Sequence, residues 1–158
     1  MGMNTISEIK IQRRYIVGNK RVSIGKIIFV DYWAFLSVAV ALVAAGFYVY
    51  NTFINASPIA GLDWIMFAAI GLGIAGFIWR VMAVSAIINN GQESKATVSE
   101  VSFYRGRGFI KYAYPRDGKT YAGKTAVMKT GATSQIRVGQ EVTIATHQGK
   151  SLIKDLFV

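Results

Sequence analysis

The sequence has no cysteine and only one histidine among its 158 residues. Without cysteine the chain forms no disulfide and no thiolate metal site, and it has no thiol nucleophile. A single histidine, His147, cannot build a polyhistidine metal site within one chain. The eight acidic residues are scattered, and no two are placed for paired acid–base work. We therefore expect no catalytic site, no metal and no cofactor in this chain.

Charged side chains are also nearly absent from the middle of the sequence. From residue 32 to residue 92 the only ones are Asp63 and Arg80, and the rest forms two long apolar runs. A bilayer accepts long uncharged helices and excludes ionised groups from its core. The pattern predicts an integral membrane protein with transmembrane helices over residues 32–53 and 64–88. The first run is too long and begins too late for a cleaved signal peptide.

A helix break and the distribution of basic residues predict how the two spans are oriented. Residues 54–63 contain Pro58, which cannot continue a helix, together with Asn and Ser residues that favour turns. Residues 1–30 carry a net charge of +5, and residues 93–158 carry +6. The positive-inside rule then places both termini in the cytoplasm and the loop 54–63 outside.

Aromatic residues and Arg80 mark the predicted ends of the spans. Trp33 and Trp79 are predicted at the cytoplasmic interface, and Trp64 at the outer one. Arg80 directly follows Trp79, so its long side chain can reach the same interface. The sequence suggests no acidic partner at that depth. We therefore expect Arg80 to snorkel to water as an interface anchor and not to serve an ion pathway.

Small residues recur at intervals of four on both predicted spans. Such faces let helices approach closely, which favours association in lipid. They predict either that the two spans pack on each other or that they form a face for another membrane subunit, and both interpretations stay open. The predicted helix-packing face consists of Ser37, Ala41, Ala45, Ala69, Gly73 and Gly76.

Residues 1–30 are predicted to be a basic, extended N-terminal segment. Over residues 6–30, β-branched residues dominate and apolar residues tend to alternate with polar ones, while Gly18-Asn19 is a hairpin signal. An amphipathic surface helix is the less favoured alternative, because the apolar period is nearer two than 3.6.

Residues 91–158 are predicted to be a cytoplasmic β domain. The apolar period is two, residues 115–118 predict a type I turn, and Gln148-Gly149 predicts a hairpin. Five short strands in this length predict a small all-β barrel or sandwich, OB-like or SH3-like. The predicted strands cover residues 95–104, 109–114, 119–127, 141–146 and 152–157, with a loop over 128–135.

Two motifs in this domain suggest ligands. Residues 118–125 match the phosphate-loop pattern G-x-x-x-x-G-K-[ST], but they form the returning arm of a predicted hairpin with no helix after it, so nucleotide binding is not expected. Arg105, Arg107 and Lys111 stand among aromatic residues, as in single-strand nucleic-acid binders. Alternating aromatics in strands are more often core and cross-strand pairs. These three cations are therefore candidate partner-docking residues.

Four short motifs of the C-terminal part carry a family resemblance: Ala96-Thr97-Val98, Tyr112-Ala113-Tyr114, residues 118–121 and residues 138–144. Over roughly residues 35–158 the chain resembles a bacterial membrane family of unknown function, with two N-terminal transmembrane helices and a small C-terminal β domain. The resemblance implies this architecture and a bacterial inner-membrane location, and it implies no activity. A weaker resemblance is to NfeD-type membrane proteins, which end in an OB-like barrel.

Taken together, these patterns predict a non-enzymatic integral membrane protein. We expect an accessory, anchoring or assembly subunit of a larger inner-membrane complex. Its predicted partners are other membrane-protein subunits and anionic lipid headgroups. A self-assembling homo-oligomeric scaffold is the first alternative, and a membrane-tethered nucleic-acid-binding module is a less favoured one. A transporter is disfavoured, because two spans with one interfacial charge make a poor pathway.

Overall fold

The computed structural model of the protein describes residues 22–158, in which a helical part precedes a β domain. A short helix leads into two long antiparallel ones. The helices are α1 (Ile24–Val30), α2 (Tyr32–Val49, continued by a π-helical turn over Tyr50–Ile54) and α3 (Leu62–Asn90).

The predicted extended conformation is wrong for Ile24–Val30, which forms α1. Ser23 caps this helix by accepting a hydrogen bond from the backbone N–H of Lys26 at 3.4 Å. Ile27 and Val30, three residues apart, are both buried, which is helical spacing. The tertiary contacts of these two residues therefore override the β-branched composition. The remainder of the predicted N-terminal hairpin lies outside the described residues.

The two long helices are long and apolar enough to span a membrane, with 23 residues in Tyr32–Ile54 and 29 in Leu62–Asn90. At 1.5 Å per residue the shorter one measures about 34 Å. Only 11% and 6% of their most apolar windows are buried inside the protein. Apolar side chains therefore face outward around most of the hairpin.

The loop between α2 and α3 is closed by asparagine side chains. The buried Asn51 accepts a hydrogen bond through Oδ1 from the backbone N–H of Ile59 at 3.0 Å. Asn55 Oδ1 accepts a hydrogen bond from the N–H of Ser57 at 3.2 Å, an Asx-type turn. The helix break predicted over 54–63 is thus present, with α3 beginning at Leu62.

The two long helices approach each other closely through small residues. A Cβ atom added to Gly73 would lie 2.7 Å from the carbonyl oxygen of Ser37 and 2.9 Å from Ala41 Cβ. One added to Gly76 would lie 3.1 Å from Ser37 Oγ. These four residues therefore form the contact between the two helices of the hairpin.

Replacing Gly73 by valine is expected to lower the free energy of unfolding by roughly 1–3 kcal/mol, because the added side chain overpacks the helix contact. Denaturant titration of the purified full chain in detergent measures this change. Gly71→Val is the matched control, since a Cβ at Gly71 meets nothing within 4 Å. Equal destabilisation by the two variants would show that helix propensity, and not the contact, accounts for the loss.

The β domain is a single antiparallel sheet of five strands that curls into a nearly closed barrel, in the order β3-β2-β1-β4-β5. The hydroxyl of the buried Tyr112, on β2, donates to Ser151 on β5 at 3.0 Å and lies 3.2 Å from Thr125 Oγ1 on β3. The two edge strands therefore lie near each other across the barrel. The strands are β1 (Gln92–Tyr104), β2 (Arg107–Arg116), β3 (Lys119–Met128), β4 (Glu141–His147) and β5 (Lys150–Ile153).

Three hairpin turns of the barrel share one geometry. Arg105-Gly106, Asp117-Gly118 and Gln148-Gly149 each have positive φ at both residues, as type I′ turns require. The predicted type I turn over 115–118 is therefore wrong, because Pro115 still pairs with Thr120 inside the hairpin. A type I′ turn matches the twist of the flanking strands, and the glycine at its second central position adopts positive φ without strain. The hairpin predicted at Gln148-Gly149 is confirmed.

Two other predicted segments also differ from the structure. The last strand was expected over 152–157, but β5 ends at Ile153 and a 3₁₀ turn over Lys154–Leu156 follows. The loop expected over 128–135 contains a short helix, α4 (Gly131–Ser134). The buried Thr133 side chain and the Thr130 cap hold this turn.

The hydrophobic core runs without interruption from the barrel into the base of the helices. Ile110 and Tyr112 of the barrel belong to one cluster of buried residues with Ile27 of α1 and Val84 and Ile88 of α3. The last turns of the second predicted span, up to residue 88, therefore pack within the protein. At the other end of the chain, the carbonyl of Phe157 accepts a hydrogen bond from Ser23 N–H at 3.1 Å.

Candidate functional site at the junction of helices and barrel

A buried ion pair stands where the helices meet the barrel. Asp31 lies between α1 and α2, is fully buried, and caps α2 by accepting from the N–H of Ala34 at 3.0 Å. Arg80 of α3 donates to both carboxylate oxygens of Asp31, from Nε at 2.9 Å and from Nη2 at 2.6 Å. Two parallel charge-assisted hydrogen bonds of this kind hold the two side chains in one relative orientation, in addition to pairing their opposite charges. The pair therefore ties α3 to the start of α2.

The expectation that Arg80 has no acidic partner and extends to water is corrected by this pair. The sequence did contain a pattern that indicates this ion pair. Trp33 and Trp79 were predicted at one interface, and Asp31 and Arg80 each lie within two residues of those tryptophans. Once the helices pair antiparallel through Gly73, the two charged groups come to the same level.

A groove lies beside the ion pair, between the first turn of α2 and the outer face of β1, β2 and β3. Its volume is 320 Å³, within the range of small-molecule sites. Aromatic and basic side chains form most of its wall. The basic-aromatic groove is defined by Tyr32, Trp33, Tyr104, Arg107, Phe109 and Lys124.

Sheet register explains why three of these side chains share one face. Arg107 and Phe109 are two residues apart on β2, so both point to the outer face. Lys124 on β3 pairs with Lys111, which lies two residues beyond Phe109 on that face. Asp31, the extended residue between α1 and α2, places Tyr32 opposite them, because its backbone forms an isolated bridge to Val127 of β3.

Two cations of the groove have no carboxylate partner within 4.0 Å among residues 22–158. Arg107 donates to the hydroxyl of Tyr32 at 2.9 Å, and its guanidinium carbon lies 5.6 Å from the centre of that ring. The ammonium of Lys124 lies 4.2 Å from the ring centre of Phe109. Lys111, by contrast, pairs with Glu100 at 2.7 Å. Within residues 22–158, the groove therefore holds positive charge that aromatic faces support and that no salt bridge neutralises.

A second cavity of 380 Å³ adjoins the groove along the seam between β3 and β5. Trp33 and Lys124 line both cavities, and Lys150 adds a further cation, whereas the Arg80 in its lining is paired with Asp31. Among residues 22–158, neither lining includes an aspartate or glutamate. Arg107, Lys124 and Lys150, which are unpaired within the described part of the chain, therefore favour an anionic ligand at these two cavities.

The structure places the three predicted docking cations in different surroundings. Arg107 lines the groove, Lys111 is paired on the same sheet face, and Arg105 sits in the β1–β2 turn with its guanidinium 5.2 Å from the ring centre of Tyr104. The sequence interpretation missed Tyr32 and Lys124, because these residues reach the groove from other elements.

The phosphate-loop-like segment 118–125 lies in the β2–β3 turn and in β3, which continues to Met128. No helix directly follows Thr125, whose buried side chain contacts Tyr112 inside the barrel. Lys124 points to the other face of the strand. The segment therefore lacks the strand-to-helix geometry that a nucleotide phosphate site requires.

The other residues singled out from the sequence fall into two groups. Trp33, Trp64 and Trp79 are exposed at the helix surface, with 55%, 79% and 63% of their area accessible. Within the predicted helix-packing face, Ser37, Ala41, Gly73 and Gly76 lie at a close contact between α2 and α3. Ala45 and Ala69 are partly buried.

Two groups in the β domain have shifted pKa values. Burial raises the pKa of the Tyr112 phenol above 10.0, although its hydrogen bonds to Ser151 and Thr125 oppose the shift. The hydrogen bond that Lys95 donates to Glu141, together with the negative charge of Glu141, raises the pKa of the exposed Lys95. Within residues 22–158 no three histidine or acidic side chains are grouped to hold a metal ion.

No family model, curated protein or solved structure matches this chain. The resemblance to the bacterial membrane family of two helices and a β domain therefore stays a prediction. The evidence for function comes from the geometry of the hairpin, the junction and the groove.

Proposed function

We propose that the protein is an integral membrane protein whose α2 and α3 cross the bacterial inner membrane as a hairpin. Both termini and the barrel lie on the cytoplasmic side, and the loop 54–63 lies outside. The length of the two helices and their outward-facing apolar surface support this placement. The positive charge of the segments on either side of the hairpin supports the orientation.

The observation that carries the function is the continuous core between the barrel and the helix base. Together with the Asp31–Arg80 pair, it fixes the orientation of the barrel against the cytoplasmic end of the hairpin. We infer that the protein presents its barrel to another protein at the membrane surface. Its role is then that of a non-enzymatic accessory, anchoring or assembly subunit of a larger membrane complex.

The hairpin and the barrel would each contribute contacts to such a complex. Because Gly73 and Gly76 are occupied by the contact within the hairpin, a lateral partner would pack on the remaining apolar helix surface. On the barrel, the exposed side chains of Tyr121 and Val138 offer apolar contacts. A homo-oligomeric scaffold would use the same surfaces, and this is the alternative that an experiment must separate.

Purification of the tagged full chain in mild detergent tests the proposal. We expect at least one other membrane protein to co-purify in stoichiometric amount, as measured by mass spectrometry and size-exclusion light scattering. Membranes from cells with the untagged chain, treated identically, are the control. A homo-oligomer of defined size would support the scaffold instead, and a lone monomer would contradict both roles.

A further inference from the structure

We propose that the basic-aromatic groove binds the headgroup of an anionic glycerophospholipid from the cytoplasmic leaflet. This inference rests on the membrane placement of the proposed function and names a specific site on the protein. The occupant combines a phosphodiester anion with apolar chains, and the groove offers a complement to each part.

The position of the groove suits a lipid headgroup. Tyr32 and Trp33 form the first turn of α2, so the groove opens at the level where this helix enters the hydrocarbon layer. Tyrosine and tryptophan side chains are favoured at that level because they present an apolar ring and a polar edge. Phe29 and Phe35, exposed on either side of Trp33 in sequence, extend the apolar surface toward the acyl chains.

The charges of the groove select an anion over a zwitterion. Arg107 and Lys124 are its two cations without an acidic partner among the described residues, and Arg107 can present a planar fork to a phosphate. Lys150, in the adjoining cavity, adds a third positive group. The quaternary ammonium of a zwitterionic lipid would find no carboxylate in either lining.

A free phosphate ion uses only part of this surface. The aromatic walls from Trp33 and Phe109 provide apolar contact that a small hydrated anion cannot use. A diffuse layer of lipids attracted by net charge does not need the groove at all. Cations away from the groove, such as Arg116 and Lys119 beside the β2–β3 turn, should then bind as well as Arg107 and Lys124.

Native mass spectrometry of the full chain in detergent tests the site, with added phosphatidylglycerol or phosphatidylcholine as the probe. We expect one preferred phosphatidylglycerol adduct. Changing Arg107→Gln and Lys124→Gln together should weaken it roughly 30-fold, since each basic group near an anionic surface contributes about the equivalent of a 5-fold change. The control Arg116→Gln with Lys119→Gln removes the same charge and should change the affinity less than about 2-fold.

Three outcomes would overturn the site. These are equal adducts with the two lipids, an equal loss in the control variant, or displacement of phosphatidylglycerol by millimolar inorganic phosphate. If the double variant does not fold, the single variant Lys124→Gln should still weaken binding roughly 5-fold. Carbonate extraction of the same chain from membranes tests the membrane placement separately from the lipid site. A chain released by carbonate contradicts the membrane placement, whereas a retained chain without lipid preference contradicts only the lipid site.

Discussion

Replacing Arg80 by methionine is expected to lower the free energy of unfolding by about 3–5 kcal/mol, the cost of breaking a buried ion pair. Asp31 is fully buried, and without Arg80 its carboxylate keeps, among residues 22–158, only the hydrogen bond from the N–H of Ala34. The variant therefore leaves a buried carboxylate without its ion-pair partner. Denaturant titration of the full chain in detergent, followed by circular dichroism, measures the loss.

The reciprocal variant Asp31→Asn is the control, and we expect a smaller loss of about 1.5 kcal/mol. Its amide oxygen can still cap α2 at Ala34, and the Arg80 side chain is 23% exposed, so it can turn toward water or lipid phosphates. The double variant should lose less than the sum of the single losses, because both partners of the pair are then neutral. Additive losses would show that the pair makes no coupled contribution to the junction.

The two helices of the hairpin could be predicted from the local sequence, whereas the ion pair of Arg80 could not. The two long helices and most strand positions follow from local patterns, namely apolar runs and alternation with period two. The partner of Arg80 depends on the antiparallel register of two helices, which is seen in the close contacts at Gly73 and Gly76. Asp31 directly precedes the first predicted span, and its burial follows from contacts that no local pattern contains.

The groove was harder to predict than the helix and the strands that form it. Arg107 stood out as a cation among aromatic residues, but its partner Tyr32 lies 75 residues earlier in the chain. Lys124 belonged to a phosphate-loop pattern whose chemistry the strand geometry of β3 does not support. Its place in the groove comes from the outer face of the sheet. The helix α1 was missed because its composition favours strands, while its burial against the barrel has a helical period.

Arginine in place of both Leu42 and Leu72 is expected to prevent the hairpin from entering the membrane. These leucines are 68% and 74% exposed, and the contact between Ala41 and Gly73 places them at one level near the middle of the hairpin. On the insertion scale a central arginine costs about 2.5–3.5 kcal/mol, so the pair costs about 5–7 kcal/mol. If the same side chains faced water, each change would alter stability by only about 0.5 kcal/mol.

The fraction of chain that stays in membranes after a carbonate wash therefore distinguishes lipid from water around the hairpin. Ala132→Arg is the control, because this side chain is exposed on α4 of the β domain and faces water in either arrangement. It should leave the membrane fraction unchanged. A double variant that folds and resists the wash as well as the original chain would mean that the helix faces around these leucines meet another protein and not lipid. The Asp31–Arg80 junction would keep its role in orienting the barrel.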